Sequence, residues 1–213
     1  MPFICVVVVD YIHTGLNQEQ FLMPNTLVIL SAPSGVGKTT VTKRFLQKHF
    51  GWKQVITCTT RPPRKGELDG IDYRFLNESS FEKLVISDKF LEYSVVYGEF
   101  YGTLMSDIKS IWESGHDAIL VIDTHGKETV KAKIPHAITV FLLPPSNDEI
   151  ERRLRSRNSD KDDVIQIRLH RTLDEIKDAY TYDHRLVNNN VEDTVQDLYD
   201  IIKDRTVSGI STK

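Results

Sequence analysis

The stretch SAPSGVGKTT, residues 31–40, decides the fold. It matches the phosphate-cradling pattern G-x-x-x-x-G-K-[ST] at every fixed position but the first, where Ala32 stands in place of glycine. A phosphate needs several donors converging from one side. A glycine-rich turn feeding a helix N-terminus supplies them from backbone N–H groups, assisted by the helix dipole. Gly35 and Gly37 suit that turn, Lys38 can reach the β and γ phosphates of a nucleotide, and the Thr39 hydroxyl is placed to ligate Mg²⁺. Residues Ala32, Pro33, Ser34, Gly35, Val36, Gly37, Lys38, Thr39 and Thr40 are therefore read as an ATP-binding loop. Ala32 weakens the pattern little, because a methyl group is a small addition wherever φ stays negative. An ordinary strand-to-helix turn with a surface lysine fits the complete G-K-T ending less well.

The flanks supply the context that the loop requires. TLVILSA (26–32) is a continuously apolar, β-branched run of the kind found in strands buried on both faces. After the loop, VTKRFLQKHF places Val41, Phe45 and Leu46 on one helical face. Further apolar runs at AILVID (118–123) and AITVFLL (137–143), separated by segments of helical length, predict a parallel α/β sheet. Ser79 with Glu82 and Ser146 with Glu149 have the spacing of capping boxes and predict two helix starts. Ile165, Leu169, Leu173 and Ile176 form a helical stripe within residues 162–179, and Val191, Val195, Leu198 and Ile202 form another near the C-terminus. Between 54 and 103, aromatic and β-branched residues around Tyr73, Phe75, Tyr93, Val95, Val96 and Tyr101 predict a small strand-rich subdomain.

Bulk properties narrow the function. The 213 residues, 40% of them hydrophobic, can bury a sizeable core. A formal charge of −3 and a pI near 6.2 argue against a nucleic-acid or anionic-membrane surface as the main partner. Cys5 and Cys58 form no C-x-x-C pair, so a reducing cytoplasm is expected and a zinc site is not. The run FICVVVV is too short to span a bilayer and carries no basic leader. Residues 1–22 read as an N-terminal extension, either a strand-like appendage or a consequence of the assigned start codon, with Met23 as the alternative start.

In TTRPPRKGELDGIDYRF (59–75), Arg61 and Arg64 lie three apart on a proline-stiffened segment. That spacing favours two guanidinium forks held toward one anion. Taken in order, SAPSGVGKTT, TTRPPRKGELDGIDYRF, FLEYSVVYGEFYGT, VIDTHG, FLLPPS, RRLRSR and LVNN resemble guanylate kinase from Met23 onward. The resemblance implies an α/β fold: a P-loop kinase core with a parallel sheet flanked by helices, an inserted mixed α/β GMP-binding subdomain and a mobile helical lid. Its expected boundaries are a core at 23–57, 105–152 and 169–213, the subdomain at 58–104, and the lid at 153–168.

The same resemblance implies transfer of the γ-phosphoryl group of ATP to GMP or dGMP with Mg²⁺; a monomer or homodimer is expected, the sequence not fixing which. Carried over by position, Arg61, Arg64, Tyr73 and Tyr101 would grip the GMP phosphate, with Glu67 in the same site. Glu92 would read guanine's N1–H and N2–H₂ donors, which adenine lacks at N1, with Thr103 and Thr57 in the base pocket. Lys38, Arg153, Arg157 and Arg168 would stabilise the transferred group, Asp123 would serve both catalysis and GMP, and Asn188 would belong to the ATP site. The chain departs from the family pattern at Val121, where an acid is usual, and at His125, where glutamine is common. Two other readings share these motifs: a catalytically inactive module that binds a protein, and a P-loop kinase with a different acceptor.

Overall fold

Leu27 to Ser31 are all buried, as a β-branched run without polar alternation requires, and they form the central strand β1 of the computed structural model. The structure describes residues 25–152, 172 and 174–208, other than 34, 97, 147 and 150, with side chains to 204. The expected lid with Arg153, Arg157 and Arg168, most of the 162–179 stripe, residues 1–22 and Ser34 lie outside the described residues. In chain order the elements are β1 (Leu27–Ser31), α1 (Lys38–Lys48), β2 (Trp52–Gln54), β3 (Cys58–Thr59), β4 (Arg74–Phe75) and α2 (Glu78–Ile86). There follow β5 (Phe90–Val96), β6 (Glu99–Leu104), α3 (Met105–Glu113), β7 (Asp117–Val121), α4 (Thr124–Lys133) and β8 (Ile138–Leu143). A 3-10 turn (Asp178–Thr181), β9 (His184–Val187) and a C-terminal helix α5 (Val191–Ser208) complete the described order.

Five strands form a wholly parallel sheet in the order β2-β7-β1-β8-β9, with Leu30 opposite Val121 on one side and Val140 on the other. Alternate residues of β1 feed two cores. Val28 and Leu30 pack with Val41 and Phe45 of α1 and Val195 and Leu198 of α5. Leu27 and Ile29 pack with Ile108 of α3 and Val130 of α4. Period-two side chains thus bury both faces of the sheet, and each large aliphatic contributes about 1.5–3 kcal/mol.

The second sheet has the order β4-β3-β6-β5, with β5 and β6 antiparallel and Glu92 opposite Thr103. Phe81 of α2 covers it, stacked 4.5 Å from Phe90. Helix α4 joins this sheet to the core: Lys133 Nζ donates to Leu91 O at 2.7 Å, and Ser94 Oγ donates to Asp123 Oδ2 at 2.7 Å.

Two local expectations are corrected. Helix α2 begins two residues earlier than the Ser79–Glu82 box predicts, because Asn77 accepts the Ser80 N–H at 2.8 Å and so becomes the cap. The run AILVID does not remain a strand to its end. β7 stops at Val121, and Asp123 caps α4 by accepting the Gly126 N–H at 2.9 Å. At the other expected box, Glu149 N does donate to Ser146 Oγ at 3.2 Å.

Candidate functional site

The turn after β1 has the conformation that its glycines permit. Gly35 and Gly37 take positive φ, 87° and 108°, values costly for any residue with a Cβ, and Gly37 caps α1. Ala32 is not among the positive-φ residues, so its methyl group is tolerated. Lys38 folds over the loop and donates to the carbonyls of Ala32 and Pro33. Thr39 and Thr40 stand exposed in the first turn of α1.

Asn188, just after β9, supports this loop from behind. It is buried, its Nδ2 donates to Val36 O at 2.7 Å, and its Oδ1 accepts from Thr194 Oγ1 at 3.1 Å. Both ends of the amide are thus engaged within the protein. A Cβ at Gly37 would come within 2.7 Å of that Nδ2, so the loop's second glycine serves close approach as well as conformation.

Across the C-terminal edge of the parallel sheet, a cleft is lined jointly by Lys38, Thr57, Arg64, Tyr73, Glu92, Tyr101 and Asp123. Val121 lines it too, an apolar wall where the sequence pattern anticipates a carboxylate. The cleft lies beyond the ends of β1 and β7, where ligands bind in such sheets.

Arg61 is held from several sides. Its guanidinium bonds both oxygens of Glu67 at 2.9 Å, its Nε donates to Tyr101 Oη at 3.2 Å, and its Cζ stands 5.4 Å from the Tyr73 ring centroid. Glu67 also accepts the Arg64 backbone N–H at 2.7 Å, so it fixes the turn as well as the fork. Arg64 presents an exposed side chain. Burial and the neighbouring Tyr101 raise the Tyr73 phenol above its ordinary range, which keeps it a donor.

Glu92 on β5 is buried and accepts from Thr103 Oγ1 across the β5–β6 pair. Burial is the chief cause that pushes its carboxyl up to about 7; the Thr103 hydrogen bond opposes this and the Asp123 charge adds to it. Asp123 is engaged on both oxygens, Oδ1 by Gly126 N and Oδ2 by Ser94 Oγ. Ser94 lines the cleft two positions after Glu92, on the same strand face, and sequence reading passed over it although period two could have found it. His125 is exposed and lines an adjoining hollow with Asp123 and Thr124.

A family model described as Guanylate kinase matches residues 24–205. A guanylate kinase of Neisseria gonorrhoeae is 40% identical over 176 residues, covering 83% of this chain and 86% of the relative. One of Fusobacterium nucleatum is also 40% identical, over 177 residues, covering 83% of this chain and 95% of the relative. The crystal structure of guanylate kinase from Anaplasma phagocytophilum superposes with a TM-score of 0.70 at 28% identity, over 85% of this chain and 86% of that one.

Proposed function

This chain belongs to the guanylate kinase family, and we propose that its cleft transfers the γ-phosphoryl group of ATP to GMP or dGMP, giving GDP or dGDP and ADP. One observation carries the assignment of residues: the P-loop lysine and the buried carboxylate of Glu92 line the same cleft, together with Arg64, Tyr73 and Tyr101. A donor phosphate at one end and a purine at the other would set an acceptor phosphate in the middle.

GMP brings its own nucleophile, because a phosphate monoester loses its second proton near pH 6. No general base is needed. The work is to align two anions in line and to stabilise charge on the group in transit. Arg61, braced by Glu67 and Tyr101, and the exposed Arg64 are suited to grip the acceptor phosphate with Tyr73. Glu92 accepts guanine's N1–H and N2–H₂, while Thr103 holds the carboxylate and Thr57 borders the pocket. Adenine offers an acceptor at N1 and would set it against the carboxylate where guanine brings a donor. Asn188 acts on ATP through the loop it braces, and Asp123 acts as a cap that orients the cleft wall. Arg153, Arg157 and Arg168 are assigned to the lid by the family resemblance alone.

Among the described residues no three carboxylates, histidines or thiols converge on a common point, which suits an ion that arrives with ATP and binds its phosphates and Thr39. Thr39 would be the protein's ligand to that ion, which would supply positive charge against the donor phosphates. No described helix is long and apolar enough to cross a membrane, and we place the enzyme in the cytoplasm as a monomer or homodimer.

The test is ADP formation from Mg²⁺-ATP with GMP, dGMP, AMP, CMP and UMP offered separately. Turnover confined to GMP and dGMP is expected, and Lys38→Ala should lower it by roughly 10²- to 10³-fold while leaving the melting curve in place. Silence with every acceptor from folded protein would refute the proposal.

A further inference from the structure

Gly126 poses a question that its own helix does not answer. It lies in the first turn of α4, is buried, and does not take positive φ. At such a position alanine is the better helix former. The reason for glycine lies across the interface. A Cβ at residue 126 would stand 2.6 Å from Glu92 Oε2 and 3.1 Å from Glu92 Cδ, with Ile122 Cδ1 next at 3.2 Å. One carboxylate oxygen thus lies where a side chain at residue 126 would have to stand, while the other is held by Thr103.

The surroundings leave little room for relief. The Gly126 N–H is tied to Asp123 Oδ1 at 2.9 Å, and Asp123 Oδ2 is tied to Ser94 Oγ at 2.7 Å on the strand that carries Glu92. Lys133, in the last turn of the same helix, donates to Leu91 O at 2.7 Å. Helix and strand are therefore fastened on both sides of the contact, so the helix cannot back away from an added methyl without breaking one of these bonds. The flexible end of Glu92 would have to move instead, toward the cleft and off Thr103.

We infer that Gly126 is a positioning residue for guanine recognition: the missing side chain makes the seat in which the Glu92 carboxylate is set at the depth that meets the base. This rests on Glu92 reading guanine, as proposed above.

Steady-state kinetics and thermal unfolding of Gly126→Ala, Glu92→Gln, Glu92→Ala and the pair Gly126→Ala with Glu92→Ala test it. In Gly126→Ala, KM for GMP should rise roughly ten- to a hundredfold, since a misplacement of about 1 Å can cost 10²-fold. KM for ATP should stay within about twofold, and kcat at saturating GMP should change less than KM. The Gly126→Ala change should lower Tm when Glu92 is present and raise it in the Glu92→Ala background, where the seat is empty and helix propensity alone acts. A parental KM for GMP, or an equal loss of Tm in both backgrounds, would overturn the inference. Should Gly126→Ala fail to fold, recovery of folded protein in the paired variant supports it and failure of the pair overturns it. Glu92→Gln separates the two claims: unchanged discrimination between GMP and AMP there would remove Glu92 from base reading, while the Tm comparison still reports on the seat.

Discussion

At the scale of single residues, Glu92 carries the sharpest consequence of placement. Its carboxyl is raised from an ordinary 4.5 to about 7, chiefly by burial, so the native state holds its proton more tightly than the unfolded chain does. The stability this provides is fully present below pH 4.5 and is lost as pH rises through 7, by about 3 kcal/mol at most. Glu92→Gln, which carries no charge to desolvate, should therefore melt higher than the parent at pH 8 and close to it at pH 5. Function runs the other way. Accepting two donors from guanine requires the ionised form, so kcat/KM for GMP should fall on the acid side of about pH 7. GMP's own phosphate titrates near pH 6, and Glu92→Gln should leave only that limb. A parental pH profile in Glu92→Gln would show that Glu92 does not set it. Glu92 was legible as a candidate only through the ordered motifs around it. Its protonation equilibrium was not, because desolvation depends on what α4 and β6 lay over it.

At the scale of elements, the start of α2 separates sequence pattern from geometry. Ser79 with Glu82 has capping-box spacing, yet Asn77 makes the capping bond, to Ser80 N at 2.8 Å. The chain enters the helix from β4 through Leu76, and its extended backbone at Asn77 fits a cap two residues earlier. Asn77→Ala should cost about 1 kcal/mol in urea unfolding, and Ser79→Ala, now inside the first turn, should cost a few tenths at most. The reverse order would restore the sequence reading. The P-loop shows the opposite case. There the motif fixed the element's start, since α1 begins at Lys38 as the pattern requires. What the motif could not show was Asn188, 152 positions from Val36, bracing the loop from behind. The LVNN segment drew attention only by resemblance, and its role as a brace follows from β9 lying beside β8 in the sheet.

At the scale of the whole molecule, the cleft exists because α4 couples the parallel sheet to the second sheet. Ser94 to Asp123 is one fastening, and Lys43 to Asp72 at 3.2 Å is a more exposed one, worth little by itself in solvent. Ser94→Ala should cost about 1 kcal/mol of stability and raise KM for GMP more than KM for ATP, because it frees the wall that carries Glu92 and leaves the P-loop untouched. Equal effects on both substrates would place Ser94 outside the acceptor side. By itself the sequence determined the α/β class, the position of the P-loop, the helical stripe of α5 and the order of the family's motifs. These depend on local periodicity and on residue types that only certain backbone conformations accept. Tertiary structure alone decided that Glu67 braces Arg61, that Asp123 caps a helix while bonding Ser94, and that Gly126 seats Glu92. Each of those depends on which atoms come within about 3 Å of one another once distant segments pack, and neither spacing nor composition encodes that distance.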